Sequence, residues 1–447
     1  MNRSEKRKRY LILLLVFTLA LPIPLAMLRV TLESGRLTGN DIRRALTDKG
    51  SVADRTGELL YDGECLDDAT TGNLVGGTGM NLNTLVESYS SALARGRSGV
   101  LFPGVNGFEN SGSRQLRTTL LGAEAREAIT KAFRNKRGCC FSYNYVTGEV
   151  YTMLSYPSSS KRPDEDDGSA SLLNRCLNSQ YTPGSVMKIL TTICALEQDP
   201  SLLDFHLLCE RRTEVNGRDF VCAYQHGDVG FSDAIGKSCN AYFAALIDKL
   251  DPEKTQETLR KMGLSVNETA ERKSLGKLSG IGSSVRFTGD GSEQDAWGLI
   301  GQGDTLVSVI DLAMIAGASA NQGKAHEPIV AVSVANLRTG GEKTLAAGKD
   351  KRLFSEKAAQ ILEVKWAQAM ETYYRGGAHP CAEAITYAKT GTPELSGASE
   401  NKTLLGVCKE FQTAFMIVVE DYRDGDPLPI DIANTLVKYL PYPSENV

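Results

Sequence analysis

The chain has little histidine and tryptophan, no strong excess of charge, and no cysteine pattern of the zinc-finger kind. Its 447 residues include 4 histidines and 2 tryptophans, and 50 Lys+Arg stand against 54 Asp+Glu for a formal net charge of -4. That balance excludes any general attraction to nucleic acid. The 10 cysteines are scattered, and their spacing predicts no metal site. Cys139, Cys140, Cys176 and Cys194 sit in apolar contexts and are expected to pack as small hydrophobes. Cys209 and Cys222 bracket a Gly-containing turn, "CERRTEVNGRDFVC", and are candidates for a disulfide outside the cell. His226 in "YQHGD" reads as a turn or hydrogen-bonding residue. No internal repeat is visible, and neither a metal nor a cofactor is expected.

What is present begins with "MNRSEKRKR", a basic flank, followed by "YLILLLVFTLALPIPLAMLRV". From Tyr10 to Met27 there is no charged residue. That length reaches the lower limit for a helix crossing a bilayer, about 17–25 residues, whereas the apolar core of a cleaved signal peptide is shorter, about 7–15 residues. Pro22 and Pro24 would kink the outer end. The reading is a retained single-pass anchor with its basic N-terminus in the cytoplasm. The rest of the chain then lies outside the cell membrane, extracellular or periplasmic.

Three segments follow: a tail and transmembrane anchor over 1–30, a polar mixed region over 31–136, and a larger domain over 137–447. In the middle segment, "KGSVADRTGELLYDGE" predicts two strands joined at Arg55-Thr56-Gly57. "NLNTLVESYSSALA" and "LLGAEAREAITKAFRNK" have helical spacing. From Gly138, "CCFSYNYVTGEVYTMLSYP" predicts two strands joined at Thr147-Gly148. Late in the chain "AITYAKTGTPEL", "TLLGVCKE" and "FQTAFMIVVEDY" predict three more, closed by a helix in "IDIANTLVKYL". This order predicts an α+β fold, one mixed sheet covered by helices.

The stretch "YTPGSVMKIL" raises the question of chemistry. Ser-x-x-Lys occurs four times, from Ser158, Ser185, Ser274 and Ser399, and a serine before an apolar run is often a helix cap. Only Ser185 opens a strong helix pattern. Residues three apart share a helix face, so Ser185 and Lys188 point the same way at the positive end of the helix. A serine hydroxyl needs an adjacent base. Lys188 serves only if neutral, which burial and a second cation favour. Lys389, in the single "KTG" of the chain, supplies that cation. Gly391 beside it would let a substrate backbone lie against the strand edge. A third element, Ser238-Cys239-Asn240, abuts a helix pattern; Ser-x-Asn also occurs at Ser142, Ser265 and Ser319.

Ser-x-x-Lys, Ser-x-Asn and Lys-Thr-Gly in this order resemble the penicillin-recognising serine transpeptidases. "HGDVGFSDAIGKSCNAYF", the Gly-Gln-Gly segment in "GQGDTLVSVIDLAMIAGASANQGKAHEPIV" and "GSVADRTGELL" narrow the resemblance to class B penicillin-binding proteins. It departs from them at "TLLGV", where Trp-Phe is frequent, and at the polar strand "CCFSYNYV". The resemblance implies the penicillin-binding transpeptidase fold: an antiparallel sheet of about five strands flanked by helices, on a small N-terminal pedestal. It implies cross-linking of peptidoglycan stem peptides ending in D-Ala-D-Ala, through an acyl-enzyme on Ser185, with β-lactams as acylating inhibitors. Lys188 would be the base, Ser238 the proton relay, and Lys389 a catalytic cation. Asn240 would hold the substrate amide. Lys389, Thr390 and Thr392 would bind its carboxylate, with the substrate backbone lying along the strand edge at Gly391. The amides of Ser185 and Thr392 would form the oxyanion hole. The 31–136 segment is too short for a glycosyltransferase, so a membrane-embedded glycan polymerase is the expected partner. The alternatives are a β-lactamase or β-lactam sensor, some D,D-carboxypeptidase activity, and a non-catalytic scaffold for wall synthesis.

The anchor generates a topology prediction. Protease added to intact protoplasts should digest the chain beyond about residue 30. Full protection of the domain under those conditions would contradict the single-pass reading.

Overall fold

The computed structural model describes residues 50–62, 69–76, 84–93, 114–158, 171–337, 340–345, 347–376, 380–393 and 400–443. Strands β1 (Ser51–Ala53), β2 (Leu59–Tyr61) and β3 (Arg114–Thr118) precede helix α1 (Ala123–Ala132). Strands β4 (Gly138–Asn144) and β5 (Val150–Tyr156) come next, then helices α2 (Met187–Gln198), α3 (Asn240–Ile247) and α4 (Val309–Ala320). Strands β6 (Ala331–Asn336) and β7 (Glu342–Thr344) lead to helix α5 (Glu356–Tyr373). The end of the chain supplies β8 (Tyr387–Gly391), β9 (Glu400–Cys408), β10 (Thr413–Tyr422) and helix α6 (Pro429–Leu436).

The central sheet has the order β8-β9-β10-β4-β5 and is antiparallel throughout. It contains the five strands the sequence predicts, antiparallel rather than mixed, with the predicted turn at Thr147-Gly148 and the closing helix in place. Every residue of β4 is buried, as are the first six of β5 and the first seven of β10. Strands covered on both faces read as continuous apolar runs rather than as alternation, which is why "AFMIVV" shows no period of two. The cover comes from α4 on β4, β9 and β10, and from α1 and α6, which pack on each other and on β5, β9 and β10. The serine of "CCFSYNYV" is accommodated by register. Ser142 lies opposite Thr152, and their buried hydroxyls meet at 2.8 Å, so neither is left unsatisfied.

A second sheet has the order β7-β6-β3-β1-β2. It contains the predicted β1–β2 pair and a parallel β1–β3 pair. Strand β3 also pairs with β6. The sheet therefore draws strands from both sides of residue 137 and is not built from 31–136 alone. Asp54 ends β1 and organises the turn that follows. Its Oδ1 accepts from Thr56 N at 2.8 Å, Thr56 Oγ1 at 2.6 Å and Glu58 N at 3.1 Å, an Asx-type turn. Its Oδ2 accepts from Arg126 of α1 at 2.8 Å, with both side chains almost fully buried. This ion pair ties the small sheet to the helix that packs on the central one. Among the described residues no helix is long and apolar enough to cross a membrane, and the expected anchor at 10–27 lies outside them.

Removing one partner of a buried ion pair strands the other charge, at a cost of about 3–5 kcal/mol. Three further donors hold Asp54, so Arg126→Met should destabilise the protein near the lower end, about 3 kcal/mol by urea unfolding. A loss below about 0.5 kcal/mol, the range of an ordinary surface substitution, would remove the pair from its structural role.

Candidate active site

A 3-10 turn, Gly184–Val186, leads into α2, so Ser185 stands half-buried at the mouth of the helix and Lys188 lies in its first turn. Met187 to Leu196 are all buried. A helix apolar all round is a core helix, and Lys188 enters the interior with it, with no exposed surface. Its Nζ donates to Ser238 O at 2.7 Å and Asn240 Oδ1 at 2.7 Å, with Ser238 Oγ further away at 3.4 Å. Ser238 belongs to the loop before α3 and has a left-handed φ of 60.

Lys389 comes from β8, the edge strand of the central sheet, and is also buried. Its Nζ donates to Ser238 Oγ at 3.0 Å and Thr390 O at 2.9 Å. The three motifs thus converge on one hydroxyl, that of Ser238. Burial pushes Lys188 down to about 7, and the neighbouring Lys389 charge pushes the same way, against the Cys239 and Cys222 sulfurs. Burial pushes Lys389 down to about 7 as well. Two ammoniums around one oxygen titrate as a pair: when one proton leaves, the other is held more firmly. A neutral Lys188 keeps two N–H groups, enough for its two short bonds, and has a free lone pair.

Close approaches fix the nucleophile turn. A side chain on Gly184 would meet the amide nitrogen of Thr392 at 2.8 Å. One on Gly391 would collide with Thr403 Oγ1 at 2.3 Å and Pro183 O at 2.4 Å. One on Gly301, from the Gly-Gln-Gly segment, would strike Gly184 O at 2.0 Å, and Gly184 N donates to Gly301 O at 2.8 Å. The end of β8 therefore lies against the Ser185 turn from one side and Gly301 supports it from the other. Thr390 and Thr392 are exposed along a cleft of about 370 Å³ that also takes in Tyr374, Gly391 and Lys402.

Every predicted site residue is in this neighbourhood, but Asn240 is engaged differently from the expectation. Its oxygen serves Lys188 and its nitrogen donates to Val221 O at 2.8 Å, because a buried ammonium demands acceptors. Two residues lack a sequence signal. Tyr374, at the end of α5, accepts from Thr390 N at 3.3 Å and meets Thr390 Oγ1 at 3.1 Å. Lys402 donates to Thr392 Oγ1 at 3.3 Å; it is the lysine of the Ser399 motif copy. The cysteine expectations need correction. Cys209 and Cys222 are free thiols. With His226 and Cys239 they form one buried group whose ligand atoms all lie within 4.8 Å of one another. Spacing along the chain could not reveal this, because the four come from a strand end, a hairpin end, a turn and a helix cap.

Residues 138–427 match the family model for the penicillin binding protein transpeptidase domain. The chain is 25% identical over 307 residues to the peptidoglycan D,D-transpeptidase PbpA of Mycolicibacterium smegmatis, covering 62% of this chain and 60% of that one. It is 29% identical over 195 residues to stage V sporulation protein D of Bacillus subtilis, covering 42% and 29%. The chain thus matches at most 60% of the length of these curated relatives. Its fold is that of penicillin-binding protein A from M. tuberculosis in a ceftriaxone acyl-enzyme complex, with a TM-score of 0.74 at 18% identity over 89% of this chain and 99% of that one. The D,D-transpeptidase domain of a peptidoglycan glycosyltransferase from Eggerthella lenta gives 0.72 at 19% identity over 88% and 98%. The geometry and these matches together establish that the chain belongs to the penicillin-binding protein transpeptidases, consistent with their class B branch.

Proposed function

We propose that this protein is a serine D,D-transpeptidase that cross-links peptidoglycan stem peptides and is acylated by β-lactams. The observation that carries the reading is the convergence of Lys188 and Lys389 on Ser238 Oγ beside the Ser185 turn. Neutral Lys188 takes the proton of Ser185 as its oxygen attacks the penultimate D-alanine carbonyl. The negative oxygen that forms is held by the Ser185 and Thr392 amides, donors aimed at developing charge. Ser238, between the two lysines, passes the proton to the departing D-alanine amine. An amine of a neighbouring strand then takes the acyl group from Ser185. Lys389, Thr390 and Thr392 bind the terminal carboxylate. Asn240 acts through Lys188, holding it, before it reaches any substrate.

We place the domain outside the cell on a single-pass anchor at 10–27, supported by the basic flank and apolar run. The 31–136 segment has no room for a polymerase, so a membrane-embedded glycan polymerase is the proposed partner, engaged through the anchor and the small sheet. β-Lactamase activity would need a base for the deacylating water. Glu394, the nearest acid after Lys-Thr-Gly-Thr-Pro, lies outside the described residues. A missing general base typically slows a step 10²–10⁴-fold, about 3–5 kcal/mol of barrier.

With a fluorescent penicillin, Ser185→Ala should abolish covalent labelling while circular dichroism stays unchanged. The wild-type adduct should survive a chase of many minutes by intact-protein mass spectrometry. Retained labelling would move the nucleophile elsewhere; catalytic release of hydrolysed drug would make the protein a β-lactamase.

The acylation rate should follow the neutral fraction of Lys188. A lysine lowered to about 7 gains that fraction as pH rises through 7, so the rate should climb between about pH 6 and 8 and then level off. An ordinary lysine would keep the rate rising towards its free value of about 10.4. Stopped-flow acylation across pH separates the two, and a rate still climbing tenfold per unit above pH 9 would exclude Lys188 as the neutral base.

A further inference from the structure

All the described cysteines are buried, so burial singles none of them out. What distinguishes Cys209, Cys222 and Cys239 is that they meet around a buried imidazole. Cys209 ends the strand Leu207–Cys209 and pairs with Gly227, which brings the adjacent His226 beside it. Cys222 follows the hairpin strand Arg218–Val221 and donates its amide to Arg211 O at 2.7 Å, which returns the hairpin to Cys209. Cys239 caps α3.

Two of the six spacings match the edges of a tetrahedral centre, and all four ligand atoms lie within 4.8 Å of one another. Zn–S bonds of about 2.3 Å and a Zn–N bond of about 2.0–2.1 Å require S···S near roughly 3.8 Å and S···N near roughly 3.6 Å. The cluster has Cys222 Sγ to Cys239 Sγ at 3.9 Å and Cys209 Sγ to His226 Nδ1 at 3.4 Å. A disulfide would need sulfurs about 2.0 Å apart. The other ring nitrogen, Nε2, is buried with no hydrogen-bond partner, so the polar engagement of the imidazole is with the sulfurs. Asn240 N donates to Cys222 Sγ at 3.2 Å, the kind of outer hydrogen bond that orients a metal-bound sulfur. Three sulfurs and one nitrogen with all four positions filled describe a closed structural zinc site rather than a catalytic one with an open position.

We propose that Cys209, Cys222, His226 and Cys239 bind one zinc ion, and that this ion holds the Ser238-Cys239-Asn240 loop in place. Cys239 is the residue between the hydroxyl shared by the two lysines and the amide that grips Lys188. A metal bond to its sulfur, and the Asn240 N–H on Cys222, restrain the two residues that directly follow Ser238, whose backbone is left-handed. The zinc site ties that loop to the hairpin and to the strand bearing Cys209. The metal itself is independent of the transpeptidase reading; only the positioning of Ser238 and Asn240 rests on it.

The full chain in detergent, purified without added metal and without a polyhistidine tag, should carry about one zinc per chain by plasma mass spectrometry. His226→Ala and Cys209→Ser, which touch neither lysine, should each lower zinc affinity about 10–100-fold. Cobalt exchanged into the wild-type protein should give thiolate charge-transfer and tetrahedral ligand-field bands, a readout that requires no variant to fold. Stripping zinc with a strong chelator should slow β-lactam acylation at least tenfold, with recovery on zinc addition. A metal-free protein, bound iron or copper instead, a Cys222–Cys239 disulfide by mass mapping, or zinc held equally by both variants would overturn the site. Unchanged acylation after complete zinc removal would overturn the positioning role alone. Absence of acylation in zinc-loaded protein would instead count against the transpeptidase reading, leaving the metal site standing.

Discussion

Two lysines are buried around one serine hydroxyl, and the rest of the site follows from that constraint. A buried ammonium is costly unless it is hydrogen-bonded or gives up its proton. The protein does some of each. Lys188 receives two close oxygens, from Ser238 and Asn240, and Lys389 receives Ser238 Oγ and its neighbour's carbonyl. Both are pushed down to about 7. When one of two such neighbouring ammoniums loses its proton, the other is held more firmly. In the proposed mechanism one nitrogen would then be the base and the other the cation, the division of labour that serine acylation requires.

That arrangement depends on parts of the fold with no catalytic chemistry. The core helix α2 brings Lys188 inside, and the edge strand β8 brings Lys389 to meet it. The backbone contacts at Gly184, Gly301 and Gly391 allow strand, turn and Gly-Gln-Gly segment to touch without side chains between them. The loop carrying Ser238 is short and holds that residue in a left-handed conformation. The cluster formed by its cysteine with Cys209, Cys222 and His226 lies where such a loop most needs restraint.

Local periodicity and motif context made much of this legible in the sequence. The turn at Arg55-Thr56-Gly57, the paired strands at 138–156, the final three strands and α6 are all set by nearby residues, and they stand where expected. Ser185 was separable from three other Ser-x-x-Lys copies because it alone opens an apolar helix. What escaped was long-range. Strand β6 joins β3 across more than two hundred residues, so the small sheet could not be bounded from the sequence. Tyr374 reaches Thr390 from another element, and nothing in "ETYYRG" announces it. The cysteine cluster escaped for the same reason: its members are unremarkable in line and meet only once the hairpin folds back on α3.

The central claim is that Lys188 and Lys389 share one proton near neutral pH. Nitrogen-detected NMR of lysine side chains, assigned with Lys188→Arg and Lys389→Arg variants, measures it directly. The account predicts one buried lysine Nζ deprotonating near pH 7 while the other stays charged to markedly higher pH. Two lysines that both remain charged beyond pH 9 would contradict it.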